Sequence, residues 1–173
     1  MRDYRPSCPE PTFQKGMLRT HTQTVLPDWI DYNGHMNVAF YTKAFDTAFD
    51  EVLEDYFGIG VTFVERSCLG PMSLQSNFFY LEELLEGEKF FVNAFLVDCD
   101  AKRMHFFGEI YAETDGRRAA AFESLSMCVD LEARKSAVYP DWAQARMQAM
   151  RAAQADIPMP KEVGQTIGIR RKG

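Results

Sequence analysis

The chain of 173 residues is 46% hydrophobic and 13% aromatic, enough to bury one substantial core and short for two independent ones. A formal net charge of -6 argues against a broad basic footprint for nucleic acid or an anionic membrane surface, so any anionic ligand needs locally placed cations. No apolar run approaches the length of a membrane span, and Arg2, Asp3, Arg5, Pro6, Pro9, Glu10 and Pro11 interrupt the place where a secretory leader needs an apolar core. These features predict a cytoplasmic protein with no nucleic-acid and no membrane partner.

Residues 1–17, rich in proline and charge, read as an extended arm. Over residues 18–26, Thr20, Thr22, Thr24 and Val25 favour extended backbone, and Pro27 ends the strand or marks an edge. Beyond the turn 31–37, Val38, Tyr41, Phe45, Phe49, Val52 and Tyr56 recur every three or four residues, with Asp46, Asp50, Glu51, Glu54 and Asp55 on the other side. This spacing predicts a helix over 38–57 with one buried stripe. Asn37 is its expected N-cap and Gly58 or Gly60 its stop, and about eighteen helical residues give a rod of about 27 Å.

After a connection containing Gly70-Pro71 the pattern alternates. Residues 73–82, 88–98, 103–113 and 118–129 each read as a strand, and the turns between them predict four successive hairpin-linked strands in an antiparallel sheet. Met104, Phe106, Gly108, Ile110 and Ala112 form an apolar row for the helix, while His105, Phe107, Glu109, Tyr111 and Glu113 face solvent or a partner subunit. Pro140 opens a second helix over 141–155, Pro158 and Pro160 stop it, and a mobile tail is expected over 161–173. The chain thus divides into an arm (1–17), a main domain (18–139) and a C-terminal helix with its tail (140–173). Cys8, Cys68, Cys99 and Cys128 form no CxxC pair and are expected to be thiols.

The chemistry concentrates in Asp31-Tyr32-Asn33-Gly34-His35-Met36-Asn37. A carboxylate, a tight glycine turn and a helix start lie within a few residues, so an anionic base meets an oxyanion-binding helix terminus, as acyl transfer requires. Plainer roles exist for each residue. Asp31 could cap a turn, His35 could hold the loop through backbone carbonyls, Asn37 could only cap the helix, and Tyr41 could only fill the core.

The motif Val25-x-Pro27-x-Trp29-x-Asp31-x-x-Gly34-His35-Met36-Asn37-x-x-x-Tyr41, followed by one long helix and a meander, resembles the hotdog fold in its 4-hydroxybenzoyl-CoA thioesterase-like branch. The resemblance runs from about residue 19 to 138. It implies an α+β fold in which a five- to six-stranded antiparallel sheet wraps a long central helix, with a C-terminal helix added. It also implies that Asp31 is nucleophile or general base, that a first-turn N–H near Val38 holds the oxyanion, and that His35 belongs to the catalytic turn. The implied assembly is a homodimer or a dimer of dimers, and coenzyme A enters only as part of the substrate.

A narrower likeness, to the betainyl-CoA thioesterase domains of carnitine catabolism, runs through Gly70-Pro71-Met72-Ser73-Leu74-Gln75-Ser76-Asn77, Asp100-x-Lys102-Arg103-x-His105-Phe106 and Glu123-x-x-x-x-Cys128-Val129-Asp130. Gln75, Asn77 and Cys128 stand where those domains usually carry Glu, His and His, which leaves the acyl group open. Asn37, Tyr41, Gln75 and Asn77 are candidate substrate contacts. Lys102 and Arg103 are candidate cations for the coenzyme A phosphates, with Arg170-Arg171-Lys172 as further candidates. Glu123 reads as a structural hydrogen-bond partner or an active-site acid. His21, His35 and His105 have no metal-ligand spacing, so no metal is expected.

The expected activity is hydrolysis of a small or medium acyl-CoA to free acid and CoA. One rival is an enoyl-CoA hydratase of the same fold, whose D-x-N-P-x-H turn is one residue longer and carries a proline that Asp31-Tyr32-Asn33-Gly34-His35 lacks. The other is a non-catalytic acyl-CoA-binding or assembly module.

Overall fold

A twenty-residue helix lies against one face of an antiparallel sheet in the computed structural model, which describes residues 4–6 and 16–169. The helix, α1 (Val38–Val52), continues as a wider π-helical turn (Leu53–Phe57). It starts where the Asn37 side chain accepts a hydrogen bond from Ala39 N at 2.9 Å, and it ends at Gly58, whose φ of 67° suits glycine. Its buried stripe is Tyr41, Ala44, Phe45, Ala48, Val52, Leu53 and Phe57. Val38, which the heptad-like spacing places in that stripe, is instead 55% exposed at the helix start.

The strands are β1 (Leu18–Arg19), β2 (Gln23–Thr24), β3 (Leu69–Tyr80), β4 (Lys89–Cys99), β5 (Arg103–Ala112), β6 (Arg118–Asp130) and β7 (Lys135–Ser136). They form seven strands rather than five or six, because β1, β2 and β7 are two-residue pieces. The expected strand over 18–26 is split where Thr20 Oγ1 accepts from Val92 N and His21 N donates to Glu51. A short helix, α2 (Val61–Ser67), fills what reads in sequence as connection, and α3 (Asp141–Ala153) follows Pro140.

The order β1-β4-β5-β6-β3 corrects the expected run of four hairpins. Of the four long strands, only β4–β5 and β5–β6 pair in chain order, while β3 pairs with β6 and, among the described residues, leaves its other edge open. Residues 81–88 are too many for a tight turn, and they cross the end of the sheet to bury Leu84 beside the start of α1. There Leu84 N donates to Tyr41 Oη at 3.2 Å and Leu84 O accepts from Met36 N at 2.8 Å.

Met104, Phe106, Ile110 and Ala112 are buried beneath α1, as the alternation of β5 predicts. Gly108 completes the row, and a Cβ there would stand 3.2 Å from the Phe45 ring, so the ring lies directly on the strand. Phe45, Phe49, Phe78 and Phe122 interlock with ring centroids between 4.5 and 6.1 Å apart.

The outer face is covered by the chain itself over part of its area. Ile157 and Val163 pack on Phe95, Phe107 and Ala121, so residues 157–165 are fastened to the sheet, whereas Ile167 and Ile169, later in the expected tail, are 95% and 89% exposed. Polar ties hold the segment after α3: Gln154 Oε1 accepts from Leu96 N, Asn77 Nδ2 donates to Gln165 O, and Glu162 takes Arg118 Nη1 at 2.9 Å. Periodicity misses this because each tie joins residues far apart in sequence. Most of the expected arm, and Arg170-Arg171-Lys172, lie outside the described residues. Cys68, Cys99 and Cys128 are thiols, and burial pushes the Cys128 thiol up to about 12. No helix among the described residues is long and apolar enough to cross a membrane.

The Arg118 guanidinium holds the buried Glu162 carboxyl below its ordinary range. A depressed carboxylate adds stability that is complete above its unfolded pKa and lost as pH falls through the folded one. Amide protection at Val163 and Gln165 should therefore stay level from neutral pH down to about 4.3 and fall only below it. Glu162→Gln should lower that protection at neutral pH by about 1 to 2 kcal/mol and flatten this part of the acid response, measured by hydrogen exchange.

Candidate active site

The turn before α1 is built from short-range bonds that its sequence dictates. Pro27 fixes the first residue of a single 3-10 turn (Pro27–Trp29), and Trp29 stacks on Phe40 with centroids 5.2 Å apart. Asp31 N donates to His35 O and Gly34 N to Asp31 O, both at 3.0 Å, which closes a tight loop. Gly34 has φ +82°, a conformation that strains a residue carrying a Cβ.

Within this loop Asp31 Oδ1 accepts from Asn33 N at 2.8 Å and Oδ2 accepts from Asn37 Nδ2 at 3.3 Å. Asn37 spends its other atom, Oδ1, on Ala39 N. Its own N–H donates to Trp29 O at 2.8 Å. Among the described residues the Val38 N–H has no acceptor, so an unpaired donor at the positive end of α1 shares a turn with a carboxylate. His35 donates through Nδ1 to Met36 O at 3.1 Å, which leaves Nε2 as a proton acceptor.

The structure thus brings Asp31, His35, Asn37 and Val38 into one turn, with Tyr41 one helical turn on. Tyr41 is buried, its phenol pushed up chiefly by that burial, and its hydroxyl holds the 81–88 crossing. The other candidates lie elsewhere. Gln75 and Asn77 are on the sheet face away from α1, where they line a cleft of about 430 Å³ with His105, Glu123 and the docked segment. In that cleft His105 Nε2 meets Glu123 Oε1 at 2.7 Å, and Glu123 takes Gly164 N on both oxygens, the structural reading of this acid.

Lys102, in the β4–β5 turn, and Arg103, the first residue of β5, lie toward the far end of the helix, where Cys99 and Met104 pack with Val52, Leu53 and Phe57. Arg103 forks onto Asp100 at 2.5 and 2.8 Å, and Lys102 Nζ lies 3.5 Å from Ser136 Oγ. His21 pairs with Glu51, so the three histidines have three separate partners.

A second cleft, of about 240 Å³, runs beside α1 toward the open edge of β3. Thr42, Asp46 and Asp50 form its exposed rim, and Phe106, Phe122 and Ser124 its buried floor. Sequence reading passed over it because Asp46 and Asp50 look like the solvated side of the helix. The available signal was their spacing of four, which continues the ridge of Val38 and Thr42.

Comparison with known proteins is consistent with this geometry. A family model described as the Thioesterase-like superfamily matches residues 25–147. Betainyl-CoA thioesterase of Pseudomonas aeruginosa is 32% identical over 155 residues, covering 88% of this chain and 96% of that protein. The L-carnitine dehydrogenase/betainyl-CoA thioesterase of Rhizobium meliloti is 28% identical over 90% of this chain, which matches 31% of that longer protein.

Among solved structures, a Staphylococcus aureus protein in complex with CoA superposes with a TM-score of 0.83 at 28% identity, covering 92% of this chain and 99% of that one. The 1,4-dihydroxy-2-naphthoyl-CoA thioesterase from Synechocystis has a TM-score of 0.67 at 16% identity over 84% of this chain and all of its own, a likeness of fold alone. The match of the family model, and of a relative alike over nearly its whole length, establish that the chain belongs to the thioesterase-like superfamily and is a thioesterase-family hydrolase with the hotdog fold.

Proposed function

We propose that the protein hydrolyses the thioester of a small or medium acyl-CoA, releasing the free acid and CoA. The observation that carries this reading is the pairing of the Asp31 carboxylate with the unpaired Val38 N–H through one residue, Asn37. The S. aureus neighbour solved with CoA and the betainyl-CoA thioesterase relatives support the choice of thioester.

In the general-base form, Asp31 takes a proton from water as the water oxygen attacks the carbonyl carbon. The Val38 N–H, at the positive helix end, stabilises the oxyanion that forms. Collapse breaks the C–S bond, and the thiolate leaves with the proton that Asp31 returns. In the nucleophilic form an Asp31 oxygen attacks the carbonyl carbon itself, the C–S bond breaks to expel the CoA thiolate, and water then cleaves the mixed anhydride to the free acid and the Asp31 carboxylate. His35 stands in the same loop with Nε2 available to accept a proton. Asn37 holds the carboxylate, and Tyr41 bounds the site at the next turn.

A homodimer, or a dimer of dimers, completes this proposal. Among the described residues the twelve-residue β3 has a partner on one side only, and Met72 and Leu74 are exposed along it. A second subunit is also what would bring Lys102, Arg103, Gln75 and Asn77 to a bound coenzyme A, since α1 separates the first pair from Asp31 and the sheet separates the second.

Asp31→Asn and Asp31→Ala should reduce release of free thiol from acyl-CoAs by about 10²- to 10⁴-fold with an unchanged circular dichroism spectrum. Full turnover in these variants would remove the assignment, and loss of enoyl absorbance without thiol release would favour the hydratase. Val38→Pro is the sharper probe: proline is tolerated at the first helical position, and Asn37, at φ -64° and ψ 145°, already has the backbone that precedes a proline. It should leave stability nearly intact while lowering kcat about 10²- to 10³-fold. Sedimentation velocity at micromolar concentration should give a dimer or tetramer, and a stable monomer would refute the shared edge.

A further inference from the structure

The Leu84 peptide, which crosses the end of the sheet beside α1, is tied on both sides to one side chain outside the 31–38 turn. Arg117, in the turn between β5 and β6, is fixed to Asp115 by its own N–H at 3.1 Å and by Nη1 at 2.9 Å. Its Nη2 donates to Glu83 O at 3.1 Å and to Glu88 Oε2, and that same carboxylate oxygen accepts from Leu85 N at 2.8 Å. The residues before and after Leu84 thus hang on one guanidinium. The hydrogen bond from Arg117 holds the Glu88 carboxyl below its ordinary range, so the tie keeps its charge in mildly acidic solution.

Leu84 passes this restraint to the start of α1. Its side chain is fully buried, its N–H donates to Tyr41 Oη, and its carbonyl accepts from Met36 N. Met36 is itself fully buried and bridges to Ile30. The next amide, of Asn37, goes to Trp29 O, and the one after it, of Val38, has no acceptor among the described residues. Two successive N–H groups are therefore anchored on two different elements, the 81–88 crossing and the Pro27–Trp29 turn. Each peptide is planar, so these anchors leave the torsions of Asn37 to aim the Val38 N–H, and the cap bond from Ala39 N sets those. A catalytic group misplaced by about 1 Å costs about 10²-fold in rate.

Resting on the thioesterase reading above, we propose that Arg117 is a positioning residue for thioester cleavage, which acts through Leu84 to aim the Val38 N–H at the carbonyl oxygen. Among the described residues Arg117 bonds to Asp115, Glu83 and Glu88 and to none of residues 31–38, so its influence passes through the crossing. Tyr41 supports the same Leu84 peptide from the helix side. The effect falls on kcat rather than KM, because the oxyanion forms only as the reaction proceeds and a misaimed donor leaves ground-state binding as it was.

Arg117→Gln and Tyr41→Phe should each lower kcat for thiol release from an acyl-CoA about 10- to 100-fold, with KM changed less than about threefold. Arg117→Lys keeps the charge but cannot fork onto Glu83 O and Glu88, so its kcat should lie between those of Arg117→Gln and the wild type. With Val38→Pro already present the donor is gone, and adding Arg117→Gln should change kcat by less than about threefold. A merely structural Arg117 would give the same loss in both backgrounds. That result, an unchanged kcat in Arg117→Gln, or a loss confined to KM overturns the proposal and leaves the hydrolase standing. Should Arg117→Gln not fold, Arg117→Lys is compared in the same two backgrounds with the same outcomes.

Full turnover in Val38→Pro removes the oxyanion donor and this proposal with it, while the Asp31 variants still judge hydrolysis. If no acyl-CoA yields thiol from the wild type, the hydrolase reading fails, and the positioning is decided by the Val38 amide resonance in a ¹H–¹⁵N spectrum, identified by its absence from Val38→Pro. Arg117→Gln should move or broaden that resonance, and an unmoved one overturns the link from Arg117 to the helix start.

Discussion

One asparagine side chain ties the proposed catalytic carboxylate to the architecture of this protein. Asn37 donates to Asp31 from one atom and accepts from Ala39 N with the other, while its backbone reaches back to Trp29. The energy of such a cap is modest, about 1 kcal/mol, but its geometry is demanding. It makes the carboxylate and the end of α1 a single body, so the loop and the helix cannot move independently without breaking a hydrogen bond. Stacking of Trp29 on Phe40 reinforces the joint from the apolar side.

The sheet then divides the molecule by function. Its inner face, under α1, is nearly all aromatic and aliphatic, and the cleft beside α1 is bordered by Pro71, Ser73 and Ser76 of β3. Its outer face carries the charges that fasten the C-terminal segment: Arg118 lies 2.7 Å from Glu109 and 2.9 Å from Glu162, and Glu123 joins His105 to Gly164. Polar residues buried there are spent on holding the chain to itself.

How much could be read from sequence followed the range of the interactions involved. The N-cap at Asn37, the stop at Gly58 and the buried row of β5 are decided within a few residues, and each stands where its local pattern puts it. The place of β3 is decided by pairing with β6 some fifty residues on and by burial of Leu84, which no turn signal encodes. The docked tail depends on Arg118 meeting Glu162, and the acidic rim depends on β3 standing beside α1. A helical wheel shows Asp46 and Asp50 as polar, but it does not show that a wall faces them.

Gly108 lines neither cleft, yet it fixes the closest approach of helix to sheet. With hydrogen as its side chain, the Phe45 ring can rest against the strand, where a methyl carbon would already stand 3.2 Å from that ring and 3.4 Å from Val92. The height of the space between Phe49 and the floor made by Phe106 and Phe122 is thereby set from one turn away, by an atom no ligand reaches. Bulk at that point would act like a shim under the helix, and the height of that space becomes a property of the packing as much as of the lining.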